Sequence, residues 1–151
     1  MKRRQTVPSP WLIADQRLDE ELWRVARRLP RGSGILLLRE LSAADRRRLR
    51  RLASQRGLTV VAEAEGKAAR VHDSRELRRA LLARTPLILL SPLFATRSHP
   101  DWRPLPRMRA AALARLGGRR LIALGGMDAR RYARVAWLGF SGWAGIDAFR
   151  T

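Results

Sequence analysis

Small polar and basic side chains crowd the segment SPLFATRSHP, residues 91–100, directly after an apolar run. Ser91 and Thr96 carry hydroxyls, Arg97 carries a guanidinium group, and His99 follows two residues later. Hydroxyl and guanidinium groups donate hydrogen bonds that suit the oxygens of a phosphorylated ligand. The segment therefore either contributes to an anion-binding site or makes a turn around its two prolines.

Two adjacent glycines, Gly125 and Gly126, end the apolar run LIALGGM. Because glycine has no side chain, the backbone N–H groups there can approach an anion closely, and the helix expected next adds its positive end. The alternative is a Gly-Gly turn that is present only for its geometry.

His72 ends another short run, ARVHD, at residues 69–73. Imidazole gains and loses a proton near neutral pH, so this residue could act as a proton shuttle. The alternative is a structural histidine next to Asp73 at the start of a helix.

These residues need elements that bring them together, and apolar stretches of strand length alternate along the chain with stretches of helical spacing. The predicted strands are residues 11–15, 34–40, 58–64, 69–73, 86–91, 120–126 and 142–149. The predicted helices are residues 18–29, 42–56, 74–84, 105–116 and 128–138. Repeated strand-helix-strand units predict an α/β fold with a parallel sheet covered by helices, either closed as a barrel or open.

Composition limits the class of protein. The chain has 151 residues, 46% of them hydrophobic, which predicts one globular domain at 11–151 after a basic tail at 1–10. The absence of cysteine excludes disulfides, thiolate metal sites and thiol nucleophiles. No apolar stretch of signal-peptide or membrane-spanning length occurs, so we expect a cytoplasmic protein without a membrane partner.

Positive charge dominates the surface chemistry. Thirty-two Lys and Arg residues against thirteen Asp and Glu residues give a formal net charge of +19, and all but Lys2 and Lys67 are arginines. Such a charge attracts anions, either nucleic acid or phosphorylated metabolites. The arginines are spread over nearly every predicted helix, which favours an arginine-rich solvated surface and leaves nucleic-acid binding as an alternative main role.

The segments WLIAD, ILLLRE, VVAEA, SPLFATRSHP, LIALGGM and GWAGIDAF, in this order, resemble thiamine phosphate synthase and the related thiazole tautomerase. The resemblance extends from about Trp11 to Phe149, and it implies a TIM-barrel-like fold. The family's barrel has eight strands and a longer chain. We therefore expect a barrel shortened to about seven strands, with one strand-helix unit missing between Glu63 and Pro86.

The resemblance also gives substrate-binding roles to the loops. The phosphate of a thiazole phosphate would lie against Gly125 and Gly126. The pocket for the thiazole and the pyrophosphate would be lined by Ser91, Thr96, Arg97 and His99.

Three further residues match positions where the family carries out its chemistry. Arg39 would contact the pyrimidine diphosphate, unless it only pairs with Glu40. Glu63 would be the ligand of a Mg²⁺ ion that absorbs the charge of the leaving pyrophosphate. His72 matches either the tautomerase histidine, which moves protons, or a histidine of the fourth strand.

The function implied by the resemblance is that of a thiamine phosphate synthase. This transferase of thiamine biosynthesis joins hydroxymethylpyrimidine diphosphate to thiazole phosphate and releases pyrophosphate. One alternative is a catalytically degenerate or tautomerase-like paralogue that binds thiazole phosphate without joining it to anything. The other is the basic nucleic-acid-binding protein.

Overall fold

The computed structural model describes residues 9–150, so most of the predicted tail lies outside the described residues. Within that range seven short strands alternate with five α-helices. The strands are β1 Trp11–Ala14, β2 Gly34–Leu37, β3 Thr59–Ala62, β4 Ala68–Val71, β5 Leu87–Leu90, β6 Leu121–Ala123 and β7 Ala144–Gly145. The helices are α1 Glu21–Arg28, α2 Ala43–Arg56, α3 Ser74–Leu82, α4 Arg107–Gly117 and α5 Ala129–Val135.

All strand pairs are parallel, and they form two sheets of order β3-β2-β1-β7 and β4-β5-β6. A single parallel bridge between Ala123 and Trp143 connects β6 to the residues just before β7. The seven strands therefore follow the order β3-β2-β1-β7-β6-β5-β4. This arrangement confirms the predicted α/β class with a TIM-barrel-like parallel sheet of seven strands.

The sheet of the described residues stays open between β3 and β4, and we call this opening the seam. Residues 63–67 connect the two strands with one 3₁₀ turn, Glu63–Glu65, and no α-helix. The residues of β3 are half-buried or exposed, whereas those of β1, β2 and β5 are buried. The shortening expected between Glu63 and Pro86 therefore coincides with a seam whose connecting residues contain no α-helix.

Local sequence explains where the helices begin and end. The hydroxyl of Ser42 accepts a hydrogen bond from the N–H of Asp45, and Gly57 ends α2 with a left-handed φ of +66°. Asp73 and Asp128 cap α3 and α5 in the same way. These capping contacts are local, because each joins residues at most four positions apart.

The last strand is much shorter than predicted. The apolar run 142–149 predicts a strand, but only Ala144–Gly145 form one, paired with β1, and Trp143 adds the single bridge to Ala123. The chain then turns into a 3₁₀ turn at Asp147–Phe149. Phe149 stacks on Trp143, with ring centroids 5.2 Å apart. This packing accounts for an apolar side chain at position 149 outside a strand.

Two groups of buried side chains hold the helices against the sheet. One lies around β1 and β2 and includes Leu12 and Leu36, and the other lies around β5 and β6 and includes Leu77 and Leu121. Each such side chain stabilises the fold by about 1.5–3 kcal/mol through burial. Among the described residues, none of the helices has the length and apolar character needed to cross a membrane.

Candidate functional site

A cavity of about 880 Å³ lies at the carboxyl ends of the strands. The residue that follows each of the seven strands lines it: Asp15, Leu38, Glu63, His72, Ser91, Leu124 and Ile146. Parallel strands in a barrel-like sheet present their carboxyl ends at one face, so residues far apart in sequence meet there. The volume is that of a site for one or two small molecules.

The structure brings most of the predicted site residues to this cavity. The cavity is lined by Glu63, His72, Ser91, Thr96, Arg97, His99, Gly125 and Gly126. Their convergence makes the cavity the candidate functional site.

Arg39, the remaining predicted site residue, is not among the residues that line this cavity. Its Nη1 atom lies 2.9 Å from the carboxylate of Asp19, and both residues line a second, smaller cavity of about 240 Å³. Arg39 lies in a bend two residues beyond the end of β2, and its ion pair with Asp19 holds it there.

The Gly-Gly turn packs closely against the loop 91–99. The N–H of Phe94 donates to the carbonyl of Gly125 at 3.1 Å. Gly126 has a φ of +59°, and a Cβ atom there would lie 2.4 Å from the carbonyl oxygen of Ala95. Within residues 9–150, no acceptor binds the N–H groups of Gly125 and Gly126. Glycine is thus required for packing, and two backbone donors remain for a ligand.

Two arginines at the cavity have no carboxylate partner among the described residues, namely Arg97 and Arg131. Nη1 of Arg131 donates to the carbonyl of Gly126 at 2.5 Å, which places its positive charge beside the turn. These two guanidinium groups therefore offer donors to an anion at the turn, while the carboxylates of Asp128 and Asp147, which line the same cavity, oppose one.

Asp15 and Arg17 form an ion pair at the cavity, with 2.8 Å between Oδ2 and Nη2. Partial burial alone would raise the pKa of Asp15. The hydrogen bonds and positive charge of Arg17 outweigh the effect of burial, and the pKa of Asp15 therefore lies below its ordinary value. The carboxylate of Asp15 is consequently charged and neutralised at neutral pH.

His72 is held by a carboxylate that sequence reasoning did not single out. One oxygen of Glu76 accepts the backbone N–H of His72 at 2.7 Å and lies 3.0 Å from its ring Nδ1. Asp73 fixes Glu76 in turn, since its side chain accepts the N–H of Glu76 at 2.8 Å. This hydrogen bond lowers the pKa of Asp73. The spacing of Asp73 and Glu76, three residues apart at a helix start, is a capping-box signal that could have identified Glu76.

Aromatic rings cover one side of the same cavity. The rings of His99 and Trp102 stack with centroids 4.1 Å apart, and the edge of His72 meets Trp102 at 5.4 Å. Trp102 was not predicted, and nothing in its local sequence indicates it. The stack places a flat apolar surface beside the imidazole of His72.

The residues at the cavity do not fit the expected magnesium site. Both carboxylate oxygens of Glu63 are taken by Arg70, at 2.9 Å from Nε and 3.3 Å from Nη2. Among residues 9–150 no group of three His, Asp or Glu side chains is placed to hold a metal ion. A Mg²⁺ ion needs carboxylate oxygens that are free to coordinate it.

Fold and cavity together define an α/β protein with a cavity at the carboxyl ends of a TIM-barrel-like sheet. No protein-family model matches the sequence, and no curated protein matches it. Among solved structures, the chain is similar to the thiamine phosphate pyrophosphorylase from Pyrococcus furiosus, with a TM-score of 0.73. The two sequences are 16% identical, and the match covers 93% of this chain and 86% of that one. This likeness shows a shared fold.

Proposed function

We propose that this chain is a thiamine phosphate synthase-like protein of thiamine biosynthesis whose cavity binds a thiazole that carries a phosphate. The observation that carries the proposal is the Gly-Gly turn packed on the loop 91–99, in a fold similar to that of a thiamine phosphate pyrophosphorylase. Thiamine phosphate pyrophosphorylase is another name for thiamine phosphate synthase.

The phosphate of the ligand lies at the Gly-Gly turn in this proposal. The unoccupied N–H groups of Gly125 and Gly126 donate to the phosphate oxygens, and Arg97 and Arg131 supply the charge. The buried Ser91 adds a hydroxyl at the floor of the cavity. Thr96 shapes the loop, because its oxygen accepts the N–H groups of Ser98 and His99.

The ring of the ligand lies beside His72 and the stack of His99 on Trp102. Since the carboxylate of Glu76 accepts a hydrogen from Nδ1, the neutral imidazole keeps the lone pair on Nε2 and is a base there. A base of this kind takes a proton from one ring atom and returns a proton to another. The geometry thus supports tautomerase-like proton transfer best, with His72 as the catalytic residue.

The complete synthase reaction is the second candidate. It is favoured by the fold and by a cavity of about 880 Å³, in which two small substrates fit. In this reaction the thiazole nitrogen forms a bond to the methylene of the pyrimidine, and the carbon–oxygen bond to the diphosphate breaks. The placement of Arg39 and the pairing of Glu63 with Arg70 remove two of the contacts expected for the departing pyrophosphate.

The test measures binding and chemistry separately. We expect thiazole phosphate to bind the wild-type protein in calorimetry and to exchange a ring hydrogen for deuterium, followed by NMR. His72→Gln should retain binding and slow the exchange by about 10²–10⁴-fold. Arg78→Gln, on the exposed face of α3 outside the cavity, is the control and should retain the rate.

Failure of thiazole phosphate to bind would overturn the proposal. Formation of thiamine phosphate above background, when both substrates and Mg²⁺ are supplied, would instead establish the second candidate. Equal exchange rates in wild type and His72→Gln would remove the tautomerase-like reaction and leave a binding protein.

A further inference from the structure

An ion pair crosses the seam at the edge of the cavity. Glu63 directly follows β3, Arg70 belongs to β4, and no strand pairing joins the two strands in the described residues. Arg70 and His72 are two residues apart on an extended chain, so they point to the same side, and both line the cavity. Arg70 is consequently both a connection across the seam and part of the cavity wall.

The guanidinium group of Arg70 is only partly used by Glu63. Nε and Nη2 face the carboxylate, whereas Nη1 has no partner within residues 9–150. About half of the side chain is exposed. A guanidinium fork oriented by a carboxylate on one edge keeps donors on the other edge, and these suit the oxygens of a phosphate.

We infer that Arg70, oriented by Glu63, is a further donor to the anionic group bound in this cavity, in addition to Arg97 and Arg131, and that anion binding there needs no divalent metal. The inference rests on the proposed function only in taking the ligand to be a phosphate or pyrophosphate ester. Magnesium at Glu63 would require the carboxylate to leave Arg70. The negative charge of Glu63 repels an approaching anion, and it also neutralises the positive charge of Arg70.

This arrangement predicts that two substitutions change the affinity for an anion in opposite directions. Loss of the arginine removes an anion contact, so Arg70→Gln should weaken anion binding. Loss of the neighbouring negative charge leaves Arg70 uncompensated, so Glu63→Gln should strengthen it. A metal ligand at position 63 predicts the reverse, because its removal would weaken binding that depends on Mg²⁺.

The experiment is a calorimetric titration with inorganic pyrophosphate, in a chelator and in Mg²⁺, with folding of each variant checked by circular dichroism. In chelator we expect about tenfold weaker binding for Arg70→Gln and about threefold tighter binding for Glu63→Gln. Arg78→Gln is the matched control, because it removes the same charge from the exposed face of α3 outside the cavity. Its affinity should stay within about twofold of the wild type.

Three results would overturn the inference: Arg70→Gln binding no worse than Arg78→Gln, Glu63→Gln binding more weakly, or Mg²⁺-enhanced binding in the wild type that Glu63→Gln lacks. Should Arg70→Gln fail to fold, Arg70→Lys replaces it and is expected to weaken binding because lysine lacks the fork.

Titration with thiazole phosphate separates the two proposals. Pyrophosphate binding through Arg70 without thiazole phosphate binding refutes the proposed function alone, and thiazole phosphate binding that ignores Arg70 refutes the inference alone.

Discussion

His72 lines the cavity and is held by Glu76, which lies outside the lining. The carboxylate fixes both the backbone and the ring of His72, so it determines which ring nitrogen is free to act as a base. Glu76 is a positioning residue, since it acts through His72 and does not itself line the cavity.

Replacement of Glu76 by Gln should therefore slow the hydrogen exchange of thiazole phosphate while leaving its binding unchanged. We expect a loss of about tenfold, smaller than the loss on removing His72, because the ring remains but its tautomer is no longer selected. The readout is the deuterium exchange rate, with Glu20→Gln, on the surface outside the cavity, as the control. An unchanged rate in Glu76→Gln would show that the pair is merely structural.

Gly126 and Gly66 provide a second comparison at the residue scale. Both have a positive φ, of +59° and +71°, but a Cβ atom would meet the Ala95 carbonyl at Gly126 and open space at Gly66. Gly66→Ala should cost about 1 kcal/mol for the backbone conformation alone. Gly126→Ala should cost at least about 2 kcal/mol in the free energy of unfolding measured with urea, because the clash is added. Equal costs would mean that the loop 91–99 is not packed as described.

At the scale of elements, sequence reasoning succeeded where a signal is local. The predicted helix 42–56 matches α2, which Ser42 and Gly57 bracket, and Asp128 caps the helix predicted to begin there. It failed for residues 146–149, because an apolar run does not distinguish a strand from a turn packed by aromatic stacking. A local apolar pattern indicates that residues are buried, but it does not identify the residues against which they pack.

The cap of α2 is open to a direct test. Ser42→Ala removes the side-chain acceptor for the N–H of Asp45 and should destabilise the protein by about 1 kcal/mol, or roughly 2–4 °C in Tm. Ser54→Ala lies inside the same helix and should leave Tm unchanged or slightly higher. Because neither residue lines the cavity, ligand binding should be unaffected in both variants. A Tm for Ser42→Ala equal to that of Ser54→Ala would contradict the capping role.

For the whole molecule, sequence reasoning foresaw the convergence of the site better than its chemistry. The parallel order of the strands was enough to bring His72, Ser91 and Gly126 to one face. The position of Arg39 depends on its pairing with Asp19, and the pairing of Glu63 with Arg70 depends on the seam. Neither is visible in a single sequence, because both are contacts between segments.

Ion pairs make the whole molecule sensitive to acid. The hydrogen bond from Arg150 holds the pKa of Glu21 below its ordinary value of 4.5, and Arg17 does the same for Asp15, whose ordinary value is 3.8. A carboxyl group with a lowered pKa stabilises the folded state fully above its unfolded-state pKa, and this contribution is lost as the pH falls through the lower folded-state pKa. Stability should accordingly begin to fall below about pH 4.5.

Thermal unfolding followed from pH 7 to pH 3 tests this dependence. As carboxylates become protonated, the excess of arginine also increases self-repulsion, so added salt should restore part of the lost Tm. Asp15→Asn should have a lower Tm than the wild type at pH 7 and should lose less on acidification. An equal loss of Tm on acidification in the two proteins would show that Asp15 does not contribute to the pH dependence.

The seam also bears on how a fold of this kind changes its length. No strand hydrogen bonds cross from β3 to β4, and each strand takes its register from its other neighbour, β2 or β5. The connecting residues include Gly66, around which there is open space. An additional strand-helix unit inserted at this point would change neither the β2–β3 nor the β4–β5 register. A whole unit can therefore be gained or lost here in one step, without altering the other walls of the cavity.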